Sequence, residues 1–174
     1  MPSKTLLVNR APVLALWAAI VAERLGYSRD AALTLGKAVA GLNAQSKGRR
    51  IGIYKESEPE HAPSAKKRPK RVLLLGRAVP VSRTSEGLRA IAKDRVEKPE
   101  SVRRYLQQKF GDSLPAVRSA MRALAKSYPP RRLAEAAFSL YEEFRPEIPK
   151  GVKGWGAKGQ LDVKRIRALA RRSR

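Results

Sequence analysis

The 174-residue sequence contains no cysteine and one histidine, His61. Without cysteine, the chain can form no disulfide, no thiolate zinc or iron–sulfur site and no cysteine nucleophile. One histidine excludes metal sites built from several imidazoles and argues against a serine–histidine triad. The hydrolase and metalloprotease patterns G-x-S-x-G and H-E-x-x-H are also absent. We therefore expect no enzymatic activity, no metal and no cofactor.

The sequence also lacks an apolar run of membrane-spanning length. The clearest run, Ala11–Ala22, has 12 residues, whereas a transmembrane helix needs about 20. Lys4 and Arg10 precede it as in a signal peptide, but Glu23 and Arg24 follow and no small-x-small cleavage site is present. We interpret the run as a buried helix, and we expect no membrane partner. The expected location is cytoplasmic, with nucleoid association in a bacterium or a nuclear location in a eukaryote.

Acidic residues are scarce. The chain has 38 Lys and Arg against 15 Asp and Glu, a net charge of +23 and a pI near 11.2. The acids Glu56, Glu58 and Glu60 cluster beside His61, but in a proline-containing stretch that cannot hold metal ligands rigidly. With 43% hydrophobic residues the chain is not a disordered tail. Its charge is typical of a protein with an anionic partner.

Two helices are predicted at the start of the sequence. The first runs from about Pro12 to Leu25 and ends at Gly26, with a wide apolar face. Ser28 is a predicted N-cap for a second helix that reaches about Lys47. A short glycine-containing turn joins them, so we expect a helical hairpin.

This hairpin fits the spacing of a helix-turn-helix loosely. In that arrangement Arg29, Asp30, Thr34 and Lys37 would point outward. The second helix has few side chains suited to reading bases. We therefore favour a packed hairpin or a dimerisation surface over a recognition motif, and a homodimer is one expected assembly.

The middle of the chain changes character. Arg50–Tyr54 is β-like, and residues 55–69 are polar, proline-containing and first acidic, then basic. Two short strands, Val72–Leu75 and Ala78–Val81, are predicted around a turn at Gly76 and Arg77. Because Pro80 has no N–H, we expect the second strand to lie at a sheet edge.

Helical patterns return after residue 84. We predict a short helix capped by Ser85 and ending near Lys93, then a helix from Pro99 to Gly111. Further predicted helices start after an Asp112 cap, follow Pro129-Pro130 as far as Phe144, and start after an Asp162 cap.

These elements predict a mainly α fold: a compact multi-helix domain with a small β-hairpin near the middle and a basic C-terminal helix. The expected parts are the N-terminal helical hairpin (1–54), an exposed basic linker (55–71), a β-hairpin plus helical region packed on the N-terminal hairpin (72–149), and a basic loop and helix (150–174).

The positive charge is concentrated in two segments. Residues 66–71 contribute +5 and residues 150–174 contribute +8, together +13 of the +23. On the last helix, cations recur at steps of three or four residues and form one stripe, with two more beside the apolar face. The stripe comprises Lys164, Arg167, Arg171 and Arg174, flanked by Arg165 and Arg172.

Residues 150–159 precede that helix and contain four glycines, three lysines and Trp155. Two readings of Trp155 stay open: it stacks on an unpaired base, or it anchors the last helix to the core. A further stripe on the helix after Asp112 consists of Arg118, Arg122 and Lys126. Its like charges at i,i+4 slightly destabilise a helix unless an anion offsets them.

We predict the following nucleic-acid-binding residues: Lys66, Lys67, Arg68, Lys70, Arg71, Lys150, Lys153, Trp155, Lys158, Lys164, Arg165, Arg167, Arg171, Arg172 and Arg174. Arg118, Arg122 and Lys126 form a secondary stripe, which taken alone is better explained as a solvated helix face.

The function expected from these patterns is sequence-independent DNA binding of a nucleoid, architectural or regulatory type, through phosphate contacts. RNA, in the ribosome or in another structured form, is the alternative partner. An alternative of a different class is a protein-interaction adaptor that assembles through its hydrophobic N-terminal hairpin.

Overall fold

The computed structural model describes residues 5–50, 70–92, 95–146 and 158–172. It contains six strands and six α-helices in these ranges. The strands are β1 (Thr5–Asn9), β2 (Lys70–Leu74), β3 (Arg77–Thr84), β4 (Gly87–Ala92), β5 (Arg95–Val96) and β6 (Lys158–Asp162). The helices are α1 (Arg10–Arg24), α2 (Arg29–Arg50), α3 (Pro99–Phe110), α4 (Leu114–Lys126), α5 (Pro130–Phe144) and α6 (Val163–Arg172).

The fold class is mixed α/β, and the prediction of a mainly α fold with one small hairpin is wrong. Helices make up 65% of the described residues and strands 23%. The strands form an antiparallel four-stranded sheet in the order β2-β3-β4-β5 and a two-stranded sheet of β1 and β6. The sequence-based prediction identified only β2 and β3.

Strand β4 replaces the predicted helix Ser85–Lys93. Ser85 does not cap a helix but lies in the tight turn between β3 and β4, where Gly87 has φ +120°. The turn is held by Thr84, whose Oγ1 accepts the Glu86 N–H at 3.2 Å and donates to the Gly87 carbonyl at 2.8 Å. The sheet and the packing of β4 on α2 outweigh the local helical preference.

Strand β3 lies between two neighbours, so the predicted edge position of Pro80 is also wrong. Its first half pairs with β2, Pro80 opposite Arg71, and its second half pairs with β4 from Val81 onward. Pro80 therefore lies just beyond the end of the β3–β4 pairing, where its missing N–H removes no bond of that ladder. The preceding turn consists of Leu75 and Gly76, both with positive φ, as in a type I′ hairpin.

The two-stranded sheet joins segments from opposite ends of the described chain. β1 runs antiparallel to β6, with Leu6 opposite Leu161 and Val8 opposite Gly159. Val8, Gly159 and Leu161 are buried, so one face of this ladder covers the core. The sequence pattern predicts a loop at Lys158 and Gly159, and it predicts neither β1 nor β6.

Helix α1 is the centre of the core, and the prediction of a buried helix is confirmed. All residues from Pro12 to Ala22 are buried, as expected for a helix that is apolar around its whole circumference. Trp17 donates its Nε1–H to the carbonyl of Ala137 on α5 at 2.8 Å and packs edge-on against Phe144, with ring centroids 5.4 Å apart. No described helix has both the length and the apolarity to cross a membrane.

Helices α1 and α2 form the predicted hairpin and approach closely at Gly36. A Cβ built on Gly36 would lie 2.3 Å from the carbonyl oxygen of Ala15 and 2.7 Å from the amide nitrogen of Ala19. The predicted cap is present, since the N–H of Ala31 donates to Ser28 Oγ at 3.2 Å.

Thr34 would point outward in the helix-turn-helix arrangement that the sequence disfavours, but it lies on an inner face of α2. Thr34 is fully buried, donating its hydroxyl to the Ala31 carbonyl at 2.8 Å and accepting the N–H of Ala90 on β4 at 3.0 Å. β4 and α3 both pack on α2, and the side chains from Ala31 to Leu35 are buried. This supports the packed hairpin over a recognition helix.

The later helices agree with their apolar periodicity. On α5, Leu133, Ala137, Leu140, Tyr141 and Phe144 are buried. On α3, Val102, Leu106 and Phe110 are buried and Tyr105 is half-buried. Asp112 does not cap α4, however, because residues Gly111–Ser113 form a 3₁₀ turn that leads directly into the helix. Asp162 does cap α6, accepting the N–H of Lys164 at 2.9 Å.

Candidate nucleic-acid interface

Helix α6 is fixed to the body of the protein by one face. Val163, Ile166, Leu169 and Ala170 are buried, and the helix packs mainly on α4. The opposite face carries Lys164, Arg167 and Arg171, all exposed. We call these three side chains the α6 stripe. None of them forms a hydrogen bond or ion pair with a side chain or backbone group of the described residues.

The two flanking arginines of α6 are engaged within the chain. Arg165 donates its Nε–H to the carbonyl of Glu143 at 2.6 Å, and Arg172 reaches the carboxylate of the same residue at 2.9 Å. Glu143 lies in the last turn of α5, where carbonyl groups lack helical partners and attract cations. Arg165 and Arg172 thus hold α6 against α5, a role that the sequence analysis had not assigned.

The remaining predicted cations of the described residues are on strands. Lys70 and Arg71, predicted as the end of the basic linker, are exposed on β2, which is an edge of the four-stranded sheet. Lys158 is exposed at the start of β6 in the other sheet. The predicted residues Lys66, Lys67, Arg68, Lys150, Lys153, Trp155 and Arg174 lie outside the described residues, as do Glu56, Glu58, Glu60 and His61.

The secondary stripe on α4 does not act as one surface. Lys126 is exposed, whereas Arg118 and Arg122 are half-buried and line a cavity of about 200 Å³. Residues from α1, α2, α3 and α4 meet around this space, which we call the arginine cavity. Its lining consists of Leu16, Ala19, Ile20, Glu23, Arg29, Ala32, Leu33, Arg103, Arg118 and Arg122.

The arginine cavity has four guanidinium groups and one carboxylate, Glu23. The carboxylate lies 3.9 Å from Arg122 and 4.0 Å from Arg29, and both distances are longer than a hydrogen bond. Arg103 forms an ion pair with Asp30 beside the cavity. Within the described part of the chain, the guanidinium groups of Arg29, Arg118 and Arg122 donate no hydrogen bond.

The electrostatic environment of Arg118 is unfavourable for its charge. Burial lowers the pKa of its guanidinium, and the positive charges of Arg122 and Arg29 lower it further, while Glu23 acts in the opposite direction. Arg118 forms no ion pair with a described residue. An anion in the cavity would relieve this repulsion.

Sequence reasoning could identify only part of this cavity. The i,i+4 pair Arg118 and Arg122 was noted as a like-charge pair, but Arg29 and Arg103 come from distant parts of the chain. Only the packing of α2 and α3 against α1 and α4 brings their side chains to the same space.

The glycine-rich segment contains one further pattern that the sequence analysis had overlooked. Gly154, Gly156 and Gly159 have the G-x-G-x-x-G spacing of dinucleotide-binding loops. That motif follows a strand and opens a helix. Here the last glycine of the pattern, Gly159, lies in β6 and does not open a helix, whereas Gly154 and Gly156 lie outside the described residues.

Comparisons with protein-family models, curated proteins and solved structures found no match. The functional argument therefore depends on the residues and contacts described above.

Proposed function

We propose that this protein binds double-stranded DNA without sequence specificity, using the α6 stripe to contact phosphate groups. The observation that supports this most is that Lys164, Arg167 and Arg171 are exposed on one face and have no partner among the described residues, while the opposite face of α6 is buried. A fixed cationic face can neutralise phosphates and release their condensed counterions.

The dimensions of α6 suit this mechanism. Lys164 and Arg171 are seven residues apart, about 10 Å along a helix, and duplex DNA presents about six phosphate charges over that distance. The helix contains no Asn, Gln, Ser or Thr, so it lacks several of the side chains that read base edges. The length of the cationic face allows each of the three residues to contact a phosphate, and the missing amides and hydroxyls leave only the base contacts that Arg and Lys can make to guanine.

The described contacts argue against the adaptor alternative. Its basis is the hydrophobic N-terminal hairpin, but α1 is buried from Pro12 to Ala22, and β4 and α3 pack on α2. The hairpin apolar surface is therefore covered within the chain itself.

The test is a triple variant, Lys164→Gln, Arg167→Gln and Arg171→Gln. Affinity for a 20-base-pair duplex is measured by fluorescence anisotropy over a series of salt concentrations. If each residue contacts one phosphate, the slope of log K against log salt should become less steep by about 2–3. The affinity at low salt should fall as well.

A matched control removes the same charges elsewhere. Arg83→Gln, Arg104→Gln and Lys109→Gln also replace two arginines and one lysine, and all three residues are exposed on β3 or α3. The control should retain the slope of the wild type. Equal losses in both triple variants would show that only net charge matters, and would refute a role for α6. Tighter binding to structured RNA than to the duplex would favour the RNA alternative.

A further inference from the structure

We propose that the arginine cavity is a binding site for a small phosphate monoester, with the phosphate held by Arg29, Arg118 and Arg122. This site is separate from the α6 stripe and does not depend on the protein binding DNA. None of the predictions from sequence assigned a ligand to it.

The hydrogen-bonding capacity of the cavity favours an oxyanion. A guanidinium has five N–H donors, and three of the four arginines in the lining donate to no described residue. Arg29 is exposed at the rim, but Arg118 and Arg122 are half-buried, and charged donors that are partly removed from bulk water without an acceptor are costly. A tetrahedral phosphate offers three acceptor oxygens and can accept from all three arginines.

The net positive charge of the cavity favours a ligand with two negative charges. Four arginines and Glu23 give the lining a net charge of +3. One of these positive charges, Arg103, is paired with Asp30, which leaves two without compensation. A phosphate monoester carries a charge of about −1.5 to −2 at neutral pH, so it matches this excess better than a carboxylate or a phosphodiester, each with one negative charge.

The apolar lining and the volume of the cavity indicate which group is attached to the phosphate. Five lining residues are apolar: Leu16, Ala19, Ile20, Ala32 and Leu33. They can cover a small hydrocarbon group attached to the phosphate. The volume of about 200 Å³ is below the about 300–1,000 Å³ of sites for drug-sized molecules, which excludes a large organic portion.

The experiment uses phenyl phosphate as the probe, titrated into the full-length protein by isothermal calorimetry at constant ionic strength. We expect saturable binding with one site per chain, and weaker binding of inorganic phosphate because it lacks the apolar group. Arg118→Gln should weaken phenyl phosphate binding at least tenfold, since it removes a charged hydrogen bond. The control Arg83→Gln, at an exposed position on β3, should bind as the wild type does.

Two further measurements test the electrostatic account and test whether the cavity is separate from a nucleic-acid surface. The thermal midpoint of Arg118→Gln without ligand should equal or exceed that of the wild type, because the substitution removes an unpaired, half-buried charge; a lower midpoint would contradict this electrostatic account. Equal affinity of phenyl phosphate for the wild type and Arg118→Gln, or no binding to either, would overturn the proposal. Loss of duplex affinity in Arg118→Gln, with displacement of phenyl phosphate by DNA, would overturn it too, because the cavity would then be part of a nucleic-acid surface.

Discussion

The close approach of α1 and α2 at Gly36 predicts that one additional methyl group will destabilise the protein. A Cβ at this position would lie 2.3 Å from Ala15 O, 2.7 Å from Ala19 N and 2.9 Å from Ala19 Cβ. Two of these are backbone atoms, so the clash cannot be relieved by a side-chain rotation. The two helices would have to separate by about 1 Å to reach ordinary van der Waals contact.

The expected cost follows from two opposing effects. Overpacking of a core costs about 1–3 kcal/mol, and we expect the upper end because backbone must move. Replacing a helical glycine with alanine returns about 1 kcal/mol through helix propensity. Gly36→Ala should therefore lower the free energy of unfolding by about 2 kcal/mol, measured by urea denaturation followed by circular dichroism.

The same helix provides the control. Gly41 is exposed and a Cβ there would meet nothing within 4 Å, so Gly41→Ala should raise the free energy of unfolding by about 0.5–1 kcal/mol. The two identical substitutions are thus expected to have opposite signs. If Gly36→Ala is also stabilising, the reasoning about the helix contact is refuted.

Two other interactions lead to predictions. Thr34→Val removes the acceptor of the buried Ala90 N–H, so it should lower the free energy of unfolding by about 1–3 kcal/mol and accelerate hydrogen exchange of that amide. Thr34→Ser should retain the protection. Unchanged exchange in the valine variant would contradict the role of the hydroxyl. Burial raises the pKa of Tyr141 to about 12 from 10.0, partly opposed by the charges of Arg145 and Arg10. The folded state therefore holds the phenolic proton of Tyr141 more tightly than the unfolded state. The resulting contribution to the free energy of unfolding is complete below pH 10 and is lost as the pH rises towards 12. Between pH 9 and 11.5 the wild type should lose about 2 kcal/mol more than Tyr141→Phe, and identical pH profiles would refute the shift.

The helices could be predicted from sequence because their signals are local. Apolar residues at steps of three and four define α3, α4 and α5, and the cap at Ser28 marks the start of α2 within one residue. The prediction that Ala11–Ala22 forms a buried helix needed only the absence of polar side chains on every face, and it is confirmed from Pro12 onward, whereas Ala11 is exposed.

Strands β1, β4, β5 and β6 could not be predicted in the same way. β4 is a short segment whose Ala90 is held by Thr34, a residue 56 positions away. Nothing in the sequence near residue 90 specifies that bond. The burial of Thr34 likewise depends on β4, a segment for which the sequence predicts a helix.

At the candidate sites too, local spacing could be predicted from sequence and contacts between distant segments could not. The spacing of Lys164, Arg167 and Arg171 placed them on one face, and the structure places all three on the exposed side of α6. Local patterns do not contain the contacts that depend on helix packing. Glu143 accepts hydrogen bonds from Arg165 and Arg172 only because α5 and α6 meet. Arg29 and Arg103 lie beside Arg118 only because α2 and α3 pack near α4.

The pairing of β1 with β6 has a consequence for the order of events in folding. Thr5 and Asp162 are paired although they are 157 positions apart in the chain, and closing a loop of that length in an unstructured chain costs about 4–5 kcal/mol of entropy. Each strand contributes only five residues to repay that cost. The ladder should therefore form late, after the helices between its strands have packed. During synthesis β1 emerges before any other described element and must wait, unpaired, until nearly all of them have been made. Until then Val8, buried in the folded protein, lacks the contacts with β6 that help to bury it.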